Sequence, residues 1–357
     1  MSTARTVYVV GAGLSYYAGL PLQSDFTAKI LAARGFKKGP SRKMVRHLDR
    51  FVQDVFHFAK TSDSWPELED IFTFVDMSAN TGHHLGCKYA PKELRQIRRE
   101  LLARTVRMLH QRFERAKKKD APERKQFTAF LKSLNINKSS FVSLNWDTSV
   151  ERILLENSPG TRFSYGDGIR EACFSSDGQI DMPPSSSDRG LQIAKMHGSA
   201  NWLYCDNCRR VFWFPPAETL RIADQIVGGA DDCSKCCYCD VELGTRIATF
   251  SYRKALDFPM FHRSWSLAEK KLRNSRRWVF IGYSLPAADF EFKYLLKRVE
   301  LACSEQPEIF VVTGGTDMAA IDRTLKNYQG LFGELVQKGK TFVTEGLSDK
   351  VVTRITS

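Results

Sequence analysis

The sequence predicts an α/β fold: a doubly wound parallel sheet carrying a helical insertion and a small cysteine-bearing module. Three observations point there. Short apolar or β-branched runs flanked by Gly, Asn or His recur along the chain. Between them lie amphipathic stretches with apolar residues at helical spacing. Six of the nine cysteines crowd between Cys205 and Cys239, which suits a metal site in a reduced compartment better than a disulfide framework.

Five runs read as buried parallel strands: Val7 to Val10, Ser140 to Leu144, Gln192 to Met196, Arg277 to Ile281 and Glu308 to Thr313, with a weaker sixth at Thr341 to Thr344. Most lead through a turn into a helix-like stretch, the order of a doubly wound sheet, in which ligands bind outside the carboxyl ends of the strands. A Rossmann-like core therefore opens over 1–25, resumes over 120–197 and finishes over 243–357. The interval 26–119 is too long for one crossover and reads as a helical insertion expected to cap the ligand site. Its stretch Arg42 to Lys60 sets Val45, Leu48, Val52, Val55 and Phe56 on one face, as Phe261 to Leu272 does with Phe261, Trp265, Ala268 and Leu272. Between Ser158 and Gly190 the chain is rich in Ser, Gly, Asp and Pro and reads as loop.

Charge narrows partners without naming a chemistry. The 357 residues carry 53 Lys and Arg against 40 Asp and Glu, a formal charge of +13. Residues 92–119 hold eleven of these cations around Leu94, Ile97, Leu101, Met108 and Leu109. A solvated helix face is the usual meaning of such a pattern, with contact to nucleic acid or an acidic protein as the alternative; aromatic residues for stacking on bases are sparse. A signal-peptide core and a run long enough to cross a bilayer are both missing, so a cytoplasmic protein is expected.

The first strand is followed at once by Gly11-Ala12-Gly13-Leu14-Ser15 and then Gly19-Leu20-Pro21. Glycines here let the backbone approach a pyrophosphate at a helix N-terminus; a plain tight turn is the bland alternative. A hydride-transferring dehydrogenase should have a third glycine where Tyr16 stands, and no Asp or Glu falls between Asp25 and Asp49 to hold a ribose. A Walker-type loop is excluded because no Gly-Lys-Ser/Thr follows.

Two later strand ends carry side chains suited to catalysis: Asn145-Trp146-Asp147 and His197-Gly198-Ser199. An amide can hold water or a sugar hydroxyl, and a neutral imidazole can take a proton from either. The structural alternatives are helix capping by Asp147 or Thr148, with Glu151 completing a capping box, and a turn histidine. Of the seven histidines only His197 ends a strand beside the glycine turn; His47, His57, His83, His84, His110 and His262 lie in helical or polar contexts.

Cys205-x-x-Cys208 and Cys236-x-x-Cys239 have the spacing of a zinc ribbon over 198–242. Four thiolates close the coordination sphere of Zn²⁺, so the site is structural. The register of the second pair stays open, because Cys233-x-x-Cys236 has the same spacing and Cys237 lies between.

Together, Gly-Ala-Gly-x-Ser with Gly19-Leu20-Pro21, Asn145-x-Asp147, His197-Gly198-Ser199, the paired Cys-x-x-Cys and Gly282-Tyr283-Ser284-Leu285-Pro286 resemble the sirtuin family in order and spacing over nearly the whole chain. More narrowly, Leu68-Glu69-Asp70, His197 to Trp202 and Phe280 to Pro286 followed by Asp289 resemble prokaryotic sirtuin-like NAD hydrolases associated with antiphage defence. The resemblance implies a sirtuin-type core, NAD as substrate, and Asn145 and His197 as the catalytic pair. It assigns Gly11, Ala12, Gly13 and Ser15 to the diphosphate, Asp147 to the ribose region, and Gly282, Ser284, Thr313 and Gly314 to the adenosine half. It further implies a homo-oligomer switched on by a separate ATPase or Argonaute-type partner, since the core elements occupy the chain and leave control to assembly.

Departures from the deacylating sirtuins matter equally. Leu22-Gln23-Ser24 replaces their Asp-Phe-Arg, Leu144 replaces a Gln, and Ala248 to Tyr252 replaces the strand that pairs with an acyl-lysine peptide. Water then becomes the expected acceptor, giving nicotinamide and ADP-ribose. An NAD-dependent deacylase and a non-catalytic module sensing NAD or ADP-ribose are the competing readings.

Overall fold

The computed structural model describes residues 5–22, 25–31, 40–58, 65–175, 179–182, 190–227, 234–244 and 261–357. Gln23, Ser24, Cys233 and Ala248 to Tyr252 lie outside them. Strand β1 (Thr6–Val10) runs into a short helix, α1 (Ala12–Tyr17), and the insertion follows as α2 (Phe26–Leu31), α3 (Pro40–Phe56), α4 (Leu68–Thr81) and α5 (Pro91–Lys119). Helix α6 (Pro122–Ser133) leads back to the sheet through β2 (Ser139–Ser143), and α7 (Ser149–Asn157) follows. Next come the short strands β3 (Phe163–Ser164), β4 (Ile169–Glu171), β5 (Cys173–Phe174) and β6 (Ile180–Asp181), then β7 (Leu191–Lys195). The cysteine module contains β8 (Trp202–Cys205), β9 (Val211–Trp213), α8 (Thr219–Val227) and β10 (Leu243–Gly244). The second half of the core comprises α9 (His262–Arg273), β11 (Arg277–Ile281), α10 (Phe290–Ala302), β12 (Glu308–Val312), α11 (Met318–Phe332), β13 (Phe342–Val343) and α12 (Asp349–Thr356).

The main sheet has seven strands in the order β13-β12-β11-β1-β2-β7-β3, every pair of them parallel. Parallel strands are buried on both faces, and the residue alternation shows it. Tyr8, Val10, Phe141, Ile193, Val279 and Ile281 join the core under α4, α5, α6 and α12. Val7, Val9, Val142, Ala194, Trp278 and Phe280 join the opposite core under α9, α10 and α11. Chain order extends the sheet from β1 to one side through β2 and β7 and returns to the other side through β11, so the topological switch point lies between β1 and β11.

The stretch read as loop between Ser158 and Gly190 contains strands. β3 edges the main sheet, and β4 pairs with β9 in a second sheet of order β10-β8-β9-β4. Strands of two or three residues have no room to display alternation, which hides them in the sequence. In the insertion α5 is the central element: Glu100 to Val106 are buried without interruption. The cations of residues 92–119 therefore divide, with Lys92, Arg95 and Arg99 exposed at one end, Arg115 and Lys117 to Lys119 exposed at the other, and Arg104 buried between. They form no continuous basic face. No helix among the described residues is long and apolar enough to cross a membrane.

At the switch point the loops after β1 and β11 touch backbone to backbone. Gly11 N donates to Ile281 O at 3.1 Å and Gly13 N to Gly282 O at 2.8 Å. A Cβ on Gly13 would stand 2.6 Å from Gly282 Cα, and one on Gly282, where φ is +60°, would stand 2.4 Å from Leu14 N. Since only backbone can yield, Gly13→Ala should lose about 1–3 kcal/mol in urea denaturation. An alanine variant as stable as the parent would show that these loops do not meet.

Candidate active site

Residues Val343, Val312, Ile281, Val10, Ser143 and Lys195 are register partners across six strands and form one row at the carboxyl edge of the sheet. The residues singled out in the sequence follow this row. Gly11, Gly282 and Thr313 come one position beyond it; Asn145 and His197 come two beyond the paired Ser143 and Lys195. Register alone therefore brings the two side chains to neighbouring turns, at the ~4.8 Å spacing of adjacent strands.

Asn145 turns back over β1. Its Nδ2 donates to Gly11 O and to Ser15 Oγ, both at 2.8 Å. Ser15 Oγ donates in turn to Asp147 Oδ2 at 2.6 Å, and Asp147 Oδ1 accepts Ser149 N at 2.9 Å. Because Gly11 O can only accept, the orientation of the amide is fixed, and Oδ1 is the acceptor face of the side chain. Asp147 thus joins the Asn145–Ser15 chain and also closes the turn into α7. The capping box that Thr148 and Glu151 offered as a structural alternative does not form: Thr148 makes no side-chain cap, and Glu151 pairs with Lys195 in the interior.

That interior network was not foreseen from the sequence. The Lys195 ammonium, buried at the end of β7, donates to the carbonyl of Asp147 and pairs with Glu151 Oε1 at 3.4 Å. Tyr165 donates to the same carboxylate at 2.9 Å; burial foremost, then the charge of Glu151, raises its phenol well above the ordinary range. Asn201 extends the network, donating to Phe214 O at 2.7 Å. The carbonyl held by Lys195 lies two residues past Asn145, and Lys195 lies two before His197, so one cation ties both turns together.

His197 is buried, and its Nε2 lies 3.8 Å from Asp289 Oδ1. Tyr283 donates to the other oxygen, Oδ2, at 2.8 Å. Both Tyr283 and Asp289 belong to the segment after β11, whose backbone is fixed by Tyr328 OH on Tyr283 O at 2.8 Å and Asn327 Nδ2 on Ser284 O at 3.0 Å. Leu285 in this segment is buried and left-handed, at φ +54°, a conformation costing about 1–2 kcal/mol for a residue with a Cβ.

The remaining positions are placed less centrally. Ala12 is exposed at the start of α1, whereas the Gly11 and Gly13 amides are already bonded to the neighbouring loop. Ser284 and Gly314 are exposed. Thr313 is bonded through its backbone to Val343 and Gly346, and Tyr17 packs between Gly314 and Gly346. From the insertion, Phe72 of α4 lies edge-on to Trp146 at 6.2 Å between centroids, which carries that helix to the Asn145 turn. A cavity of about 290 Å³ lined by Tyr16, Tyr17, Leu20 and Arg112 shares no residue with the Asn145 and His197 turns.

Cys205, Cys208, Cys236 and Cys239 bring their sulfurs within 4.8 Å of one another. Cys237 is exposed and outside the cluster. The contacts of 3.4 Å for Cys205 with Cys239 and 3.6 Å for Cys208 with Cys236 are far too long for disulfides and near the ~3.8 Å edge of a ZnS₄ tetrahedron. Burial pushes the Cys236 thiol up, while the Asn207 side chain draws Cys239 down; a bound cation would hold all four as thiolates. The four residues fit a structural zinc ion that pins β8 and β10 at the end of their sheet.

No family model and no curated protein matches the chain. Among solved structures it is similar to a Sir2 enzyme from work on the mechanism and regulation of that group, at 12% identity over 99% of this chain and 91% of the other, with a TM-score of 0.35. It is similar also to Sir2Tm bound to a propionylated peptide (11%, covering 98% and 91%, TM-score 0.35) and to a Sir2 homologue in complex with NAD (12%, covering 98% and 87%, TM-score 0.36).

The buried pair gives a direct test of how the turns are tied. Lys195→Met should cost about 3–5 kcal/mol by leaving Glu151 buried without its cation, and Lys195→Met with Glu151→Gln should recover much of that loss in urea denaturation. Equal losses in the single and double variants would show that the two charges do not interact.

Proposed function

We propose that this protein hydrolyses NAD to nicotinamide and ADP-ribose. The supporting observation is the paired register of the Asn145 and His197 turns, which sets an amide oxygen and an imidazole at adjacent strand ends beside the switch point. With both N–H groups committed, Asn145 acts toward the nicotinamide ribose through Oδ1, accepting from a ribose hydroxyl or from the incoming water.

The chemistry follows from the substrate. The bond between C1′ and the pyridinium nitrogen breaks with its electron pair moving to the ring, which leaves as neutral nicotinamide, so no general acid is needed. Water then forms the new C1′–O bond and its proton passes to His197. The site must orient the ribose and exclude other nucleophiles. Asp147, hydrogen-bonded to Ser15 and Ser149 N, keeps Asn145 in place and puts a negative charge on the side where the oxocarbenium-like carbon develops. The motif resemblance extends the proposal to physiology: a regulated NAD-depleting effector of antiphage defence, acting as a homo-oligomer with a separate activating partner.

Nicotinamide release from NAD, measured with and without candidate partners and with and without an acylated peptide, tests the reading. Release should occur without peptide and fall at least about 10²-fold in Asn145→Ala and His197→Ala. Consumption that requires the peptide would make the protein a deacylase, and saturable binding without release in any assembly would make it a sensor.

A further inference from the structure

We propose that Asp289 is the positioning residue for His197, itself held by the Tyr283 hydroxyl. Its catalytic consequence rests on the hydrolysis reading above; the pairing itself does not.

The position of Asp289 in the chain predicts something else. It occupies the N-cap of α10, where an aspartate normally accepts from the amides of the first turn and contributes ~1 kcal/mol. Its side chain makes no such cap. Instead the carboxylate, with 9% of its side chain exposed, turns back across the sheet edge: Oδ1 lies 3.8 Å from His197 Nε2, and Oδ2 accepts from Tyr283. Burial foremost, then the charge of Asp289, raises the Tyr283 phenol well above the ordinary range, so it remains a donor at any working pH. The turn that allows this includes the strained Leu285 and closes with Asp289 N on Pro286 O at 3.2 Å. From the far side Trp265 Nε1 holds Met196 O at 3.1 Å, fixing the backbone that presents the imidazole.

Other charges at these strand ends are engaged elsewhere. Lys195 is bound to Asp147 O and Glu151, and Asp147 to Ser15 and Ser149. Among the described residues, Asp289 places a carboxylate oxygen 3.8 Å from the ring. Next to Nε2 it favours the tautomer protonated there and leaves Nδ1 to accept the proton from water. The O–H bond of water breaks, an N–H bond forms at Nδ1, and the resulting imidazolium is offset by a carboxylate that stays ionised.

Histidine ring signals followed against pH by NMR, with His197 assigned through His197→Ala, read the pairing without any substrate. Asp289→Asn should lower the His197 midpoint by about one unit or more. Tyr283→Phe, which withdraws a hydrogen bond from the carboxylate and is nearly isosteric, should raise it. Under conditions where the wild type releases nicotinamide, Asp289→Asn should reduce kcat about 10²-fold with KM within about threefold. Midpoints unchanged in both variants overturn the pairing, and an unchanged kcat in Asp289→Asn overturns its role in the reaction. Should Asp289→Asn fail to fold, the upward shift in Tyr283→Phe decides alone. A wild type inert toward NAD would remove the hydrolysis reading while the titration still settled the pairing.

Discussion

In the parallel ladder, backbone hydrogen bonds hold Val343, Val312, Ile281, Val10, Ser143 and Lys195 in a single row, and the candidate site depends on where that row ends. A strand has little freedom once its neighbours fix its register, because a slip of one residue exchanges its two faces. Here each face is buried in its own core, so slippage is prevented on both sides. The turns carrying Gly11, Asn145, His197 and Gly282 consequently start at one level, and the short polar side chains beyond them need reach only a few ångströms to meet.

Close packing at that edge explains several residues together. Gly11, Gly13 and Gly282 let two loops touch through their backbones, while Asn145, Ser15 and Asp147 form a hydrogen-bonded chain between the first turn and the second. Beneath them Lys195 and Glu151 form an ion pair that is almost wholly buried. Such pairs add little net stability over apolar residues. What this one adds is geometry, since its cation grips the turn of Asn145 from the strand that delivers His197.

The sheet was legible because long buried strands declare themselves as apolar runs. Arg277–Ile281 was found to the residue, and the other principal strands within one residue at each end. The cysteine pairs were legible because metal ligation constrains spacing. Signals failed where tertiary contacts override local rules. Glu151 lies three residues after Thr148 and reads as half of a capping box, yet Lys195 and Tyr165 claim it. Asp289, noted in the sequence only as part of the Phe280 to Pro286 motif, sits at the N-cap of α10 without capping it, 3.8 Å from His197 Nε2. Lys195 looks like a polar end to a strand, and the charge count over 92–119 cannot reveal that the middle of α5 is enclosed. In each case the missing information was a partner distant in sequence.

A crystal structure of the protein with ADP-ribose would test most directly whether these turns make one site. The account predicts the diphosphate beside the loop that follows β1, with C1′ of the distal ribose within hydrogen-bonding reach, directly or through one water, of both Asn145 Oδ1 and the His197 imidazole. A ligand bound elsewhere, or a distal ribose that meets neither side chain, would contradict it.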